Sequence, residues 1–338
     1  AKDGNRRPYT QQWNLTIERQ VGKDIRVTTA YVGNKGTRLL SQVNALNALN
    51  PSLLSMGNRL NDQFSPGQTT LDGVSIPYAG WVEQMTGCAP TVAQALLPYP
   101  QYCGNIYGQN ESNGNSTYHA LQVSAEKRFS AGFYFLASYT FSKTLTDADY
   151  SQSTQGAVYA ISPFEQKRQK ALSNQDTPNA FTLSTSYELP FGKGKPLANS
   201  HCPVLNLLLS GWQLNGIFRV SSGQPLAFRS SYCNVPSQFA VACIPANIDG
   251  VNPYAQDRSN FNPDLPLFNV NAFEPVDSFN YYYGKGPRVS NFRGFGYTNL
   301  DLGITKKFAI TERFNIQIRG EAFNVFNTHS FLNYFVTN

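Results

Sequence analysis

The sequence predicts an antiparallel all-β fold, because polar and apolar residues alternate in eight segments of the chain. Residues 13–17 (WNLTI), 121–125 (LQVSA) and 314–318 (FNIQI) show this alternation. A period of two residues is typical of β-strands whose two faces meet different surroundings. The predicted strands are 9–21, 25–33, 116–129, 132–145, 179–189, 211–222, 297–309 and 313–326.

Short and long connections alternate strictly between these strands. The short turns are 22–24, 130–131 and 310–312, with the somewhat longer 190–210 between the fifth and sixth strands; the long stretches are 34–115, 146–178 and 223–296. Loops of this length are uncommon in compact soluble domains. Outer-membrane barrels, in contrast, have short periplasmic turns and long extracellular loops. The alternation therefore predicts a transmembrane β-barrel in the outer membrane, with the long loops extracellular and the short turns periplasmic.

The composition is consistent with a barrel in a membrane. Charged residues make up 14% of the chain, below the roughly 25% of ordinary soluble domains. The 19 Tyr and 23 Phe residues suit the aromatic girdles of a barrel, and we expect lipid to be one partner. Lys and Arg form no cluster, so no nucleic-acid partner is predicted.

The residue alternation assigns side chains to two faces. Charged residues of both signs share the polar parity and are predicted to face the lumen, where they could pair, contact a plug domain or line a solute path; they are Glu18, Arg26, Glu126, Arg128, Glu188, Arg219, Asp301, Arg319 and Glu321. Three cations, Arg19, Lys127 and Lys306, fall on the apolar parity near the short-turn ends. Long cationic side chains placed there can reach lipid headgroups.

The long loops contain aromatic residues that could stack on a sugar or a peptide, or on each other. These candidates for ligand contact are Tyr78, Trp81, Tyr99, Tyr102, Tyr107, Tyr281, Tyr282 and Tyr283. The same loops contain four of the five cysteines. We predict the disulfides Cys88–Cys103 and Cys233–Cys243, because each pair closes a short loop in an extracytoplasmic location. Cys202 is left over.

No catalytic, cofactor-binding or metal-binding motif is found in the sequence. The three histidines, His119, His201 and His329, lie on separate segments, and no Gly-x-Ser-x-Gly, His-Glu-x-x-His or Walker sequence occurs. Residues 192–195 (GKGK) lack the spacing of a phosphate-binding loop and indicate a basic turn. The chain is therefore not expected to be an enzyme.

Several segments resemble the barrel of Oar-like TonB-dependent receptors, which are outer-membrane proteins with a carboxypeptidase-regulatory-like domain. The matching segments, in order, are 8–15 (PYTQQWNL), 30–37 (AYVGNKGT), 98–102 (PYPQY), 115–122 (NSTYHALQ), 137–143 (ASYTFSK), 187–194 (YELPFGKG), 211–216 (GWQLNG) and 321–327 (EAFNVFN). The resemblance implies that the eight strands are consecutive members of a larger, 22-stranded barrel. It also implies a plug domain and the TonB complex as partners.

The strand count leads to an expectation about chain boundaries. If the short turns are periplasmic, the first strand begins outside the cell and the eighth ends there, whereas bacterial barrels normally have both ends in the periplasm. We therefore expect residues 1–338 to be the C-terminal part of a receptor barrel. The plug, the TonB box, the N-terminal β-sandwich and the final strand are expected to be absent from it.

The leading functional prediction is TonB-dependent uptake of a large ligand, such as a siderophore, an oligosaccharide or a peptide. Three alternatives stay open. The chain could belong to a surface or adhesive protein that transports nothing, to a passive porin, or to a soluble secreted β-protein such as a lectin. The sequence does not discriminate among the ligands, because the loops carry no recognisable binding signature.

Overall fold

The protein is built on one large antiparallel sheet. The computed structural model describes residues 6–41, 45–106, 111–148, 161–192, 195–197, 203–229, 233–276, 280–310, 313–331 and 336–337. Its long strands are β1 (Tyr9–Val21), β2 (Ile25–Ser41), β3 (Glu111–Ser130), β4 (Phe133–Thr146), β5 (Asn179–Glu188), β6 (Trp212–Ser221), β7 (Tyr297–Ala309) and β8 (Asn315–Ala322). Each pairs with the next, and a short ninth strand, Ala171–Leu172, pairs with the end of β4.

All eight predicted strands are present, which confirms the all-β antiparallel fold, and β1 and β7 have the predicted bounds. β2 and β3 are longer than predicted because they continue pairing up to Ser41 and Glu111, past a register shift that begins at Thr37. Alternation is lost in this extension, so only the pairing of the two strands keeps it extended. β8 is shorter than predicted, since the chain turns at Asn324 with a φ of 50°.

The strand register builds one apolar face and one polar face. On the apolar face, Leu15 lies opposite Tyr31, Tyr31 opposite Leu121, and Leu121 opposite Phe141. All four side chains are exposed, Leu15 at 65%. Contiguous exposed apolar surface of this kind marks contact with hydrocarbon or with another molecule, not with water.

The long loops form a folded layer at one end of the sheet, which we call the loop cap (the described residues of 45–106, 161–178 and 223–296). It contains the 3-10 helices Pro51–Asn61, Ser237–Phe239, Arg258–Asn260 and Val270–Ala272, the one-turn helices Trp81–Gln84, Val92–Ala95 and Gln166–Gln169, and the two-residue strands Thr70–Leu71, Val74–Ser75 and Phe228–Arg229. Val336–Thr337 pairs in parallel with Phe228–Arg229.

At the opposite end, the connection between β5 and β6 carries the helix Pro203–Leu209. Among the described residues, no helix has both the length and the apolar character needed to cross a membrane. The chain leaves this helix for β6 through Gly211, whose φ is 74°. A Cβ atom at this position would lie 2.5 Å from the backbone oxygen of Lys307, so the turn requires glycine.

The substitution Gly211→Ala is expected to lower the free energy of unfolding by about 2–3 kcal/mol, because it combines a left-handed conformation with a backbone clash. Urea unfolding in lipid vesicles measures the difference. Gly303→Ala in β7 is the matched control, since a Cβ atom there meets nothing closer than 3.8 Å. Equal effects of the two substitutions would contradict the assignment.

Candidate functional site

The polar face of β6, β7 and β8 forms the floor of an open groove of 510 Å³. Alternate residues of the three strands supply its side chains, so the groove is a direct consequence of period-two alternation. The polar lining consists of Gln213, Asn215, Asp301, Thr305, Lys307, Gln317, Arg319 and Glu321. It therefore offers hydrogen-bond donors, acceptors and charges of both signs to a polar occupant.

Several of the predicted lumen residues form ion pairs on the polar face. Arg26 and Glu126 lie directly opposite each other on β2 and β3, with 2.8 Å between Nη2 and Oε2. Arg319 and Glu321 are 3.4 Å apart on β8, with both side chains about half exposed. Exposed pairs of this kind contribute about 0–1 kcal/mol, so they shape the electrostatics of the wall more than its stability.

The other lumen candidates occupy the same parity. Glu188 pairs with Lys195 of the following turn at 2.8 Å, and Asp301 Oδ1 accepts a hydrogen bond from the Asn324 backbone at 2.9 Å. Glu18 lies opposite Thr28, and Arg219 lies opposite both Thr182 and Asn299. Arg128 follows Glu126 by two positions on β3.

The loop cap has hydrophobic cores of its own. One cluster joins the first long loop to the third through Leu49, Leu60, Ala93, Leu97 and Phe239. A second, within the first loop, contains Phe64, Trp81, Val82 and Val92. A third joins the second loop to the third through Ile161, Ile244 and Tyr283. The loops are therefore packed against one another rather than independently placed.

Two of the predicted ligand-contact residues lie in the core of the loop cap and not on its surface. Trp81 is fully buried, its ring packs edge-to-face on Phe64 at 5.8 Å, and its indole N–H donates to the Pro100 carbonyl. Tyr283 is only 8% exposed. The sequence left stacking on a ligand and packing between loop residues both open, and these two rings show the second. Here Trp81 packs with other residues of the first loop, and Tyr283 packs with residues of the second and third loops, so both rings lie in the core.

The remaining aromatic candidates lie closer to solvent. Tyr78, Tyr99 and Tyr102 are exposed. Tyr281 is half-buried and its hydroxyl donates to Asn58 Oδ1 at 2.5 Å, and Tyr282 donates to Glu274 at 2.9 Å. Tyr107, His201 and Cys202 lie outside the described residues.

The structure joins Cys88 to Cys103 and Cys233 to Cys243 as disulfides, with Cα–Cα separations of 5.7 and 6.0 Å. Each closes a loop within the cap. On the apolar parity of β3, His119 shares a hydrogen bond of 2.7 Å with the Tyr31 hydroxyl. The described part of the chain brings together no group of three or more residues able to hold a metal ion.

Arginines that the sequence analysis did not single out fasten the cap to the sheet. Arg288 is buried and donates to the carbonyls of Gln169 and Thr146, which is the last residue of β4. Arg293 binds Asp176 through a 2.5 Å ion pair, and Asp176 in turn accepts from the Thr144 backbone at 2.6 Å. No periodicity marks these residues, so only the folded loops reveal their role.

A second polar network lies between the second and third loops. The Tyr283 hydroxyl donates to Glu165 at 2.8 Å, and the same carboxylate pairs with Arg168. Burial and then the hydrogen bond to Glu165 raise the pKa of Tyr283 to about 12. Burial and then the hydrogen bond to Glu274 raise the pKa of Tyr282 to about 12 as well.

The raised pKa of Tyr283 predicts a loss of cap stability in strong alkali. An unfolded tyrosine ionises near pH 10 while the folded one keeps its proton, so the stabilisation is present below pH 10 and is lost as the pH rises through about 12. Ultraviolet absorbance of the phenolate, compared between the native protein and Tyr283→Phe, measures this ionisation. A Tyr283 signal that titrates fully near pH 10 would contradict the buried placement.

No curated protein matches the chain. The outer membrane transporter YddB from Escherichia coli, known from its crystal structure, is similar at a TM-score of 0.37 and 9% identity, over 95% of this chain and 29% of that chain. The chain thus spans less than a third of that transporter's length. A family model for an outer membrane beta barrel domain matches residues 1–338. The chain therefore belongs to the outer-membrane β-barrel domain family and resides in the outer membrane.

Proposed function

We propose that the chain is the C-terminal barrel segment of an Oar-like TonB-dependent receptor, which takes up a ligand too large to diffuse through an open pore. The observation that carries this proposal is the groove on the polar face of β6, β7 and β8, lined by charges of both signs. Charged side chains are costly against lipid hydrocarbon but not against water or polar groups. The wall therefore suits a lumen that holds water or a polar plug domain.

The loop cap supports gated rather than free entry. It has its own hydrophobic cores, and buried arginine contacts hold it to the end of β4. In this proposal the cap is extracellular and the short turns are periplasmic. Tyr78, Tyr99 and Tyr102 are exposed on it and offer rings that can stack on a sugar, a siderophore or a peptide.

The proposed partners are outer-membrane lipid, a plug domain inside the barrel and the TonB complex. In this proposal no nucleic acid and no cofactor take part, and the protein is not an enzyme.

A second candidate function, adhesion at the cell surface without transport, is favoured by one observation. The loop cap is folded, and each of two disulfides cross-links residues within one of its loops. A protein that binds a surface partner needs a rigid surface of this kind.

The test uses the full-length protein from which this chain comes. We expect it to show no steady conductance in a planar bilayer and to bind the purified periplasmic domain of TonB. A stable open channel would overturn the proposal in favour of a passive porin. A closed barrel that does not bind TonB would overturn it in favour of the surface protein.

A further inference from the structure

The helix Pro203–Leu209 presents apolar side chains to its surroundings at the short-turn end of the sheet. Val204 is 66% exposed and Leu208 57%, and Leu205 and Leu207 are also exposed. At about 100° per residue these four side chains cover an arc of about 160°, with Asn206 on the opposite side. The helix therefore presents one broad face that is entirely aliphatic.

The helix is fastened to the apolar face of the sheet. The indole N–H of Trp212, on the apolar parity of β6, donates to the Leu208 carbonyl at 2.9 Å. Lys306 of β7 donates to the Ser210 carbonyl just past the helix. A cation at this end of a helix also meets the negative end of its dipole.

Lys306 corrects one sequence-based expectation. It was expected to reach lipid headgroups, but it is only 3% exposed. Its ammonium group lies 5.3 Å from the Trp212 ring centre and 4.9 Å from that of Phe308. The lysine therefore joins the helix end to two aromatic residues of the apolar face.

We propose that Pro203–Leu209 is an interfacial helix that lies in the lipid headgroup layer at the short-turn end of the barrel. A membrane span needs about 20 residues, so seven residues can lie on the bilayer but not cross it. Aromatic residues of barrels concentrate at the membrane interface, and Trp212 places the helix at that level. Helices that bind there bury an apolar face in the boundary between headgroups and acyl chains.

Lipid fits the exposed arc better than a protein partner does. The end of the helix is bonded to Trp212 and Lys306 of the apolar face, which an outer-membrane barrel turns toward lipid. Four aliphatic side chains spread over 160° can be immersed together in a fluid apolar layer, whereas one flat protein surface would cover only part of them. The inference rests on outer-membrane residence and not on transport.

The test places a fluorescent label on the helix of the full-length protein in vesicles of phosphatidylethanolamine and phosphatidylglycerol. Leu208→Cys in a Cys202→Ser background carries an environment-sensitive dye, and Lys23→Cys is the matched control. Lys23 is exposed in the turn between β1 and β2, at the same end of the sheet. Heat-dependent migration in gels verifies that both variants are folded.

We expect the dye at position 208 to emit at shorter wavelength, and lipids with a quencher near the headgroup to quench it several-fold more than the dye at position 23. Equal quenching at the two positions would overturn the proposal. A dye shielded from both water and lipid quenchers would also overturn it and would indicate a protein occupant. Energy transfer between labelled copies would then identify a second copy as that occupant.

Discussion

Replacement of Arg293 by alanine is expected to lower the free energy of opening of the loop cap by about 3–5 kcal/mol. The side chain of Asp176 is 1% exposed and the Arg293 guanidinium lies 2.5 Å from its carboxylate. Arg293 also donates to the carbonyls of Asp176 and Gly223. Its removal leaves a buried carboxylate whose charge no longer has this partner, which costs far more than the contact itself.

Native-state hydrogen exchange at the end of β4 and in the adjoining loops measures the effect, because exchange reports local opening. Arg26→Ala is the matched control. It removes an ion pair of similar length, 2.8 Å, but the Arg26 side chain is 53% exposed, so a loss below about 1 kcal/mol is expected. Equal losses in the two variants would show that burial does not determine the strength of the Arg293 pair.

The second large effect is expected for Trp81→Ala, which should destabilise the first long loop by about 3–5 kcal/mol. The side chain is fully buried against Phe64, Val82 and Val92. Truncation leaves a cavity and also removes the hydrogen bond of the indole to the Pro100 carbonyl, which lies 3.3 Å away. The loop would then open more often while the sheet keeps its pairing.

Limited proteolysis of residues 45–106 measures this change, because cleavage follows the population of the open loop. Tyr102→Ala is the control, since Tyr102 is 54% exposed and its loss should leave cleavage nearly unchanged. If the proposed ligand binding is measured as well, Tyr102→Ala should weaken binding more than Trp81→Ala does. An exposed ring that stacks on the ligand affects affinity without affecting cleavage. Faster cleavage of the Tyr102 variant than of the Trp81 variant would contradict the core assignment.

The loop cap is coupled to the barrel, and its three loops contact one another. Arg288 and Arg293 contact the second loop, while Phe239 of the third loop packs with residues of the first. A change in one loop would therefore be felt by the others, because packed interiors transmit displacement. In a transporter this coupling would make entry a concerted motion of the loops rather than the motion of a single lid.

The sequence by itself determined the sheet. Period-two alternation identified every long strand, and the regular order of short and long connections identified a barrel. The parity of Arg26 and Glu126 placed them on one face, and the register sets them opposite each other. These features are local, since each strand carries its own alternation and the neighbouring turns set its partner.

Only the tertiary structure decided the loop cap and the helix at the other end. Trp81 and Tyr283 carry no periodic signal. The burial of Trp81 depends on Phe64 and Val92 of the same irregular loop, and Tyr283 contacts residues far away in the chain, such as Glu165. In the sequence, Lys306 is only a cation on the apolar parity. The folded structure shows that its ammonium group donates a hydrogen bond to the Ser210 carbonyl. Side chains in irregular segments acquire their surroundings from contacts between distant parts of the chain, and alternation along a strand contains no information about such contacts.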